Sequence, residues 1–144
     1  MHFWMNPRFP FPYVTTSSSP ASCPLQVLLA PRLDCPRLLP VEYFSAGKRL
    51  LAAAEELRPD AIICTGVAGN RDAITPERIA VNIRDARIPD NAGNQPRGEF
   101  VDSSGPAAYF STLPVEAMAQ AIRDAGVDAT VSNSAGAFVC NDVL

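Results

Sequence analysis

The run Ser132-Asn133-Ser134-Ala135-Gly136-Ala137-Phe138-Val139-Cys140-Asn141 ends beside a cysteine placed where a thiol can act as a nucleophile. The segment from Val127 to Val143 reads as a strand, a glycine-containing turn and a helix start, with Cys140 in or near the first helical turn. Free backbone N–H groups and the positive end of a helix dipole stabilise a thiolate there and can hold a developing oxyanion. Position alone favours a plainer role, a small buried apolar residue, as for most free cysteines. Glu77 follows Thr75-Pro76 and opens an alternating segment. Its carboxylate can orient a catalytic imidazole as in a hydrolase triad, or stand as a solvated charge at a strand end. Asp85, Arg87 and Asp90 bracket a short stretch that suits either substrate contact or local ion pairs. Gly66-Val67-Ala68-Gly69 lacks the Gly-Lys-Ser/Thr end of a phosphate-binding loop and reads as a turn. Cys64 lies inside an apolar run and reads as core, while Cys23 and Cys35 fall in irregular sequence. With no C-x-x-C spacing and His2 as the sole histidine, no metal site is expected.

These residues must be held by the elements around them. Leu50, Leu51, Ala54 and Leu57 recur at helical spacing, and Arg58-Pro59-Asp60 supplies a stop. Asp60-Ala61-Ile62-Ile63-Cys64-Thr65-Gly66 is an uninterrupted apolar run, which predicts a parallel strand covered on both faces and a loop over 66–71 at its carboxyl end. Ile79, Val81 and Ile83 alternate with other residues at strand period. Pro89, Gly93, Pro96 and Gly98 mark a long loop. Val115, Met118, Ala119 and Ile122 place one apolar stripe on a helix that Gly126 ends, and Val127 to Ser132 predicts the next strand. Repeated helix-strand order predicts an α/β fold, a three-layer α/β/α sandwich around a largely parallel sheet. Ligands in such sheets bind beyond the carboxyl ends of the strands, which points to the loops at 66–71 and 132–139.

The first forty residues hold eight of the fourteen prolines, the single Trp and the polar run Thr15-Thr16-Ser17-Ser18-Ser19. Residues 1–42 are therefore expected to be an irregular proline-rich segment, apart from a short strand over Leu25-Gln26-Val27-Leu28-Leu29. Residues 43–144 form the orderly domain. A chain of 144 residues fits one domain with a modest core. The net charge of −3 arises from mixed charges with no basic run, so neither nucleic acid nor a membrane surface is expected as a partner. Apolar runs fall short of the ~20 residues a membrane helix needs. Pro7, Pro10 and Pro12 interrupt any leader-like segment, and a reducing, cytoplasmic setting is the expectation.

Five ordered blocks carry a resemblance: Gly66-Val67-Ala68-Gly69-Asn70-Arg71, Ile74 to Asn82 with Thr75-Pro76-Glu77-Arg78, Asp85-Ala86-Arg87-Ile88-Pro89-Asp90-Asn91, Gly105 to Pro114, and Val131 to Asn141. Together, over roughly the last hundred residues, they resemble the pyroglutamyl peptidase I family of cysteine peptidases. The resemblance implies that Cys140 is the nucleophile, that Glu77 is the triad carboxylate and that Arg87 stands beside the catalytic centre. It further implies that Ile88, Phe138 and Val139 wall the pyroglutamyl ring and that Val67 contributes its backbone. The implied reaction removes an N-terminal pyroglutamyl group from a peptide through an acyl-enzyme, with no metal or organic cofactor, in a protein that self-associates into a homo-oligomer.

Two departures accompany it. The family's histidine base lies about two dozen residues beyond the cysteine, whereas the sequence given stops at Leu144. The family's opening strand and Gly-Phe-x-Pro-Phe-Gly-Gly loop are matched only by Phe9-Pro10-Phe11-Pro12, and the resemblance begins near Glu42. The sandwich is therefore expected to be incomplete at both ends. Without a positioned base, turnover is expected to fall by roughly 10²–10⁴. The alternative is a non-catalytic relative that binds blocked N-termini or a complete subunit.

Overall fold

The computed structural model describes residues 2–3, 25–30, 36–69 and 71–143. Cys23, Cys35 and the Phe9-Pro10-Phe11-Pro12 run lie outside them. At the centre is strand β4 (Ala61–Thr65), buried along its whole length. Alternation sends its side chains to two layers. Ala61 and Ile63 pack with Val115, Met118, Ala119 and Ile122 of helix α2 (Val115–Asp124), and Ile62 and Cys64 pack with Ala46 and Leu50 of helix α1 (Ser45–Leu57). The continuous apolar run is thus explained by a helix on each face.

The α/β fold stands, and the three-stranded sheet is antiparallel where the sequence suggested a largely parallel one. Strand β2 (Leu25–Ala30) pairs antiparallel with β4 and with β3 (Arg37–Leu39) in the order β3-β2-β4. An apolar run reports burial on both faces and carries no information about strand direction. Strand β3 also falls in the segment expected to be irregular. Its three residues sit between Pro36 and Pro40, and pairing with β2 supplies the hydrogen bonds that local sequence did not advertise.

Strand β1 (His2–Phe3) pairs parallel with β5 (Thr75–Pro76). On the other side of β5 the backbone at 128–132 runs alongside. Ile74 N–H donates to Asp128 O at 2.9 Å, Thr130 N–H to Ile74 O at 3.1 Å, Ser132 N–H to Pro76 O at 2.9 Å and Arg78 N–H to Ser132 O at 2.8 Å. Missing from that parallel pattern is the rung that residue 76 would donate, because proline has no N–H. The strand expected over Val127–Ser132 is therefore reduced to two isolated parallel bridges, Ile74 with Ala129 and Glu77 with Ser132. The alternating Ile79-Val81-Ile83 segment divides into β6 (Ile79–Val81), paired antiparallel with β9 (Ala108–Phe110), and β7 (Arg84–Asp85), paired antiparallel with β8 (Arg97–Glu99) across a bulge.

Helix α2 buries the predicted stripe of Val115, Met118, Ala119 and Ile122. It ends as its glycine requires: Gly126 is left-handed at φ 82°, its N–H reaches Arg123 O at 2.9 Å, and Val127 N–H reaches Ile122 O at 3.2 Å. Helix α1 buries Ala46, Leu50 and Ala53, and Leu51, expected on the apolar face, is exposed. The loop between β7 and β8 is organised by Asp90. Its carboxylate accepts from Tyr43 N–H at 2.7 Å, Ala92 N–H at 2.9 Å, Asn94 N–H at 2.8 Å and the Asn94 amide at 3.0 Å. Burial pushes this carboxyl up, and the donors around it outweigh burial, leaving it below its ordinary range.

Two outcomes follow. Gly126→Ala forces a Cβ into the left-handed region and is expected to cost about 1 kcal/mol in urea unfolding. Asp90 has a depressed folded-state pKa, so its contribution is complete above the unfolded carboxylate's ~3.9 and is lost as pH falls through the folded value. The stability gap between the unmodified chain and Asp90→Asn, measured by thermal melting, is expected to be widest at neutral pH and to narrow below about pH 4.

Candidate active site

The backbone leaving the second isolated bridge makes two serine-capped turns. Ser134 N–H donates to Ser132 Oγ at 3.3 Å, Ser132 Oγ–H donates to Ser134 O at 3.1 Å, and Gly136 N–H donates to Ser134 Oγ at 3.1 Å. Gly136 then turns the chain at φ 77°, which admits glycine readily. Ala137 O accepts from Asp85 N–H at 3.1 Å and from the Tyr43 hydroxyl at 3.0 Å. That hydroxyl is pushed up to about 12 by burial and by the Asp142 and Asp90 carboxylates, so it remains a donor across the working range.

Helix α3 (Val139–Asp142) follows, only four residues long. Its neighbours hold it where a turn so short cannot hold itself. Val139 is buried among Tyr43, Ala46, Leu50 and Cys64. The Asn141 amide pairs with strand β6 as a peptide group would: Oδ1 accepts from Val81 N–H at 2.9 Å, and Nδ2 donates to Val81 O at 2.7 Å and Ile83 O at 3.0 Å. Asp142 accepts from Phe44 N–H at 3.2 Å and from Arg84 Nε. Phe44 has a positive φ of 63°, costly for an aromatic residue, and Arg84 also covers its ring at 4.6 Å.

Cys140 therefore rests half-buried at the edge of the core cluster that contains Cys64. Its thiol is pushed above the ordinary range. Burial is the largest cause and the Glu77 carboxylate the next, against smaller downward pulls from its own backbone N–H and from Arg71. The surroundings thus work against the expected stabilised thiolate: burial weighs most, the Glu77 charge adds to it, and four helical residues generate little dipole to oppose them. Cys64 is core, as its sequence context indicated, with a thiol pushed up to about 12 by burial and then by Cys140.

Glu77 is fully buried, contrary to the solvated alternative. Arg71 meets it: Nη1 lies 2.7 Å from Glu77 Oε1 and 2.7 Å from Thr75 Oγ1, while Nη2 donates to Ser134 O at 3.0 Å. Arg71 belongs to the Gly66-to-Arg71 block, whose sequence alone assigns it no role. Its one signal was a cation six residues before the candidate carboxylate.

A cleft of about 580 Å³ is lined by Arg71, Asp85, Arg87, Ile88, Phe138 and residues 134–137 among others, and neither Cys140 nor Glu77 is part of its lining. Arg87, Ile88 and Phe138 are thus brought together, with Ile88 61% exposed at the rim. Val67 is exposed on its own loop, outside the cleft lining, and Val139 faces the core. Phe138 is fixed edge-on against Tyr43, with ring centroids 5.5 Å apart. Among the described residues no group of three His, Cys, Asp or Glu side chains is placed to hold a metal ion, and no helix is long and apolar enough to cross a membrane.

Known proteins resemble this chain in sequence and in fold. The family model described as pyroglutamyl peptidase matches residues 32–144. A pyrrolidone-carboxylate peptidase of Chromobacterium violaceum is 53% identical over 108 residues, covering 75% of this chain and 51% of that protein. One from Pseudomonas fluorescens is 51% identical with the same coverage. The crystal structure of Bacillus amyloliquefaciens pyroglutamyl peptidase I superposes with a TM-score of 0.68 at 42% identity, covering 73% of this chain and 51% of that one. The pyrrolidone carboxyl peptidase of Thermococcus litoralis gives 0.66 at 45% identity, covering 73% and 48%. The chain spans about half the length of the curated relatives it matches.

Two measurements address this geometry. Alkylation of Cys140, followed by peptide mapping, is expected to speed up with pH and to have a midpoint above a free thiol's ~8.5. Asn141→Asp removes two donors and turns a carboxylate toward two carbonyls. It is expected to cost about 2–4 kcal/mol in thermal or urea unfolding, as for a buried polar group left unpaired.

Proposed function

Because this chain belongs to the pyroglutamyl peptidase family, we propose that it carries the nucleophile and substrate cleft of an enzyme that removes N-terminal pyroglutamate from peptides. The observation that supports this most directly is the cleft between 85–88 and 134–138, whose lining includes Phe138, two residues before Cys140, and Arg71, the ion-pair partner of buried Glu77. In this reading the Cys140 thiolate attacks the pyroglutamyl carbonyl. The peptide's amine leaves with a proton, and water hydrolyses the thioester to release pyroglutamate.

Ile88 and Phe138 offer apolar walls to an uncharged five-membered ring, with Val139 packed behind them from the core. Arg87 stands at the mouth beside the reacting carbonyl, and Val67 contributes its backbone from the loop at 66–71. Glu77 orients the imidazole that the family uses as its base. A buried carboxylate near the sulfur suits that duty, since an imidazolium would find its counter-charge in place. A cytoplasmic, reducing setting preserves a free thiol of this kind, and self-association would cover exposed Phe100 and Phe110.

A second reading, binding of blocked N-termini without turnover, is favoured by one observation: Cys140 packs half-buried against the apolar cluster of Cys64, where burial and the Glu77 charge disfavour its thiolate. The 144-residue chain incubated with a pyroglutamyl peptide separates the two. Release of pyroglutamate with a thioester on Cys140 detected by mass spectrometry, both abolished by Cys140→Ala, is expected for the peptidase. Calorimetric binding with neither product nor adduct establishes the second reading in its place.

A further inference from the structure

We propose that Arg71 is a positioning residue for the Cys140–Glu77 centre, its guanidinium holding the buried carboxylate and the turn that leads into Cys140 in one frame. Its Nη1 lies 2.7 Å from both Glu77 Oε1 and Thr75 Oγ1, which sit on the strand at 74–77, and Nη2 lies 3.0 Å from Ser134 O, on the turn six residues before the nucleophile. One planar group thus spans two chain segments that meet in sequence only through the fold. A fork with fixed donor directions performs this task and a lysine ammonium cannot copy it. The burial contrast supports the assignment. Glu77 is fully buried, and the Arg71 side chain remains 26% exposed along the cleft wall, so the charge pair runs from the interior out to where substrate would lie. A carboxylate without a cation in such a place is strongly unfavourable.

The inference rests on Cys140 being the reactive thiol of the site, and it concerns how that thiol is set rather than which peptide it cleaves. With Arg71 in place, the charge of Glu77 acting on the sulfur is partly offset, and removing Arg71 removes that offset.

The test is the rate of Cys140 alkylation by iodoacetamide at pH 8, read by peptide mapping so that the other cysteines are counted separately. Arg71→Met is expected to slow the reaction severalfold. Arg71→Lys, which keeps the cation and loses the fork, recovers less than half of that loss, and full recovery by lysine would overturn the positioning role. The Arg71→Met/Glu77→Gln double variant buries no unpaired charge, so it remains informative if the single variant does not fold, and it reacts at least as fast as the unmodified chain. A wild-type rate in folded Arg71→Met, or a double variant slower than the unmodified chain, would overturn the proposal. Because alkylation involves no hydrolysis, a chain that never releases pyroglutamate still tests Arg71, and a failed Arg71 prediction leaves the peptidase reading standing.

Discussion

Three hydrogen bonds from the Asn141 side chain to Val81 and Ile83 fix the short helix on which Cys140 sits. A four-residue turn has too few internal bonds to persist, so its placement comes from the strand it docks against. Asp142 extends the same attachment to Phe44 and Arg84, which ties the start of α1 to the end of α3. Val139 anchors the other side in the core. The position of the sulfur is consequently set by β6, α1 and β4 together, and a disturbance in any of them reaches it.

Around this anchor the electrostatics are set by what is buried. Glu77 is sealed in by β5 and the neighbouring backbone, with Arg71 as its cation, and Cys140 shares the apolar cluster of Cys64. Both effects raise the thiol. Nucleophilic chemistry at neutral pH then needs a proton acceptor beside the sulfur rather than help from the helix terminus. Geometry and charge therefore differ in what they provide. The cleft is open and walled by Ile88 and Phe138, whereas the sulfur and the carboxylate are held in the interior beside it.

Helix α2, its glycine stop and the two-faced burial of β4 were legible in the sequence because each is written in consecutive residues. Other features were written elsewhere in the chain. Pro76 shortens the strand expected over Val127–Ser132 by withholding a rung from its neighbour, an effect invisible within 127–132 itself. Helix α1 begins at Phe44, a residue with no capping side chain and a positive φ, because a carboxylate 98 positions away receives its N–H. At the site, the motif blocks pointed to Cys140, Glu77, Arg87, Val67, Ile88, Phe138 and Val139, of which the cleft lining brings together Arg87, Ile88 and Phe138. Periodicity did not separate Val139, which faces inward, from Phe138, which faces the cleft. Arg71 escaped notice because its partner Ser134 lies 63 positions away.

The residues flanking the nucleophile are bound by packing whether or not the sulfur reacts. Val139, Asn141 and Asp142 each answer to the core, to a strand or to a strained turn, so replacing any of them removes folded protein before chemistry is considered. Selection for abundance alone would preserve this stretch in a descendant that had ceased to turn over. Only Cys140 itself, half-buried and joined to its neighbours by little beyond apolar contact, would be left to drift, which makes the identity of that one residue the informative site in any lineage that keeps the fold.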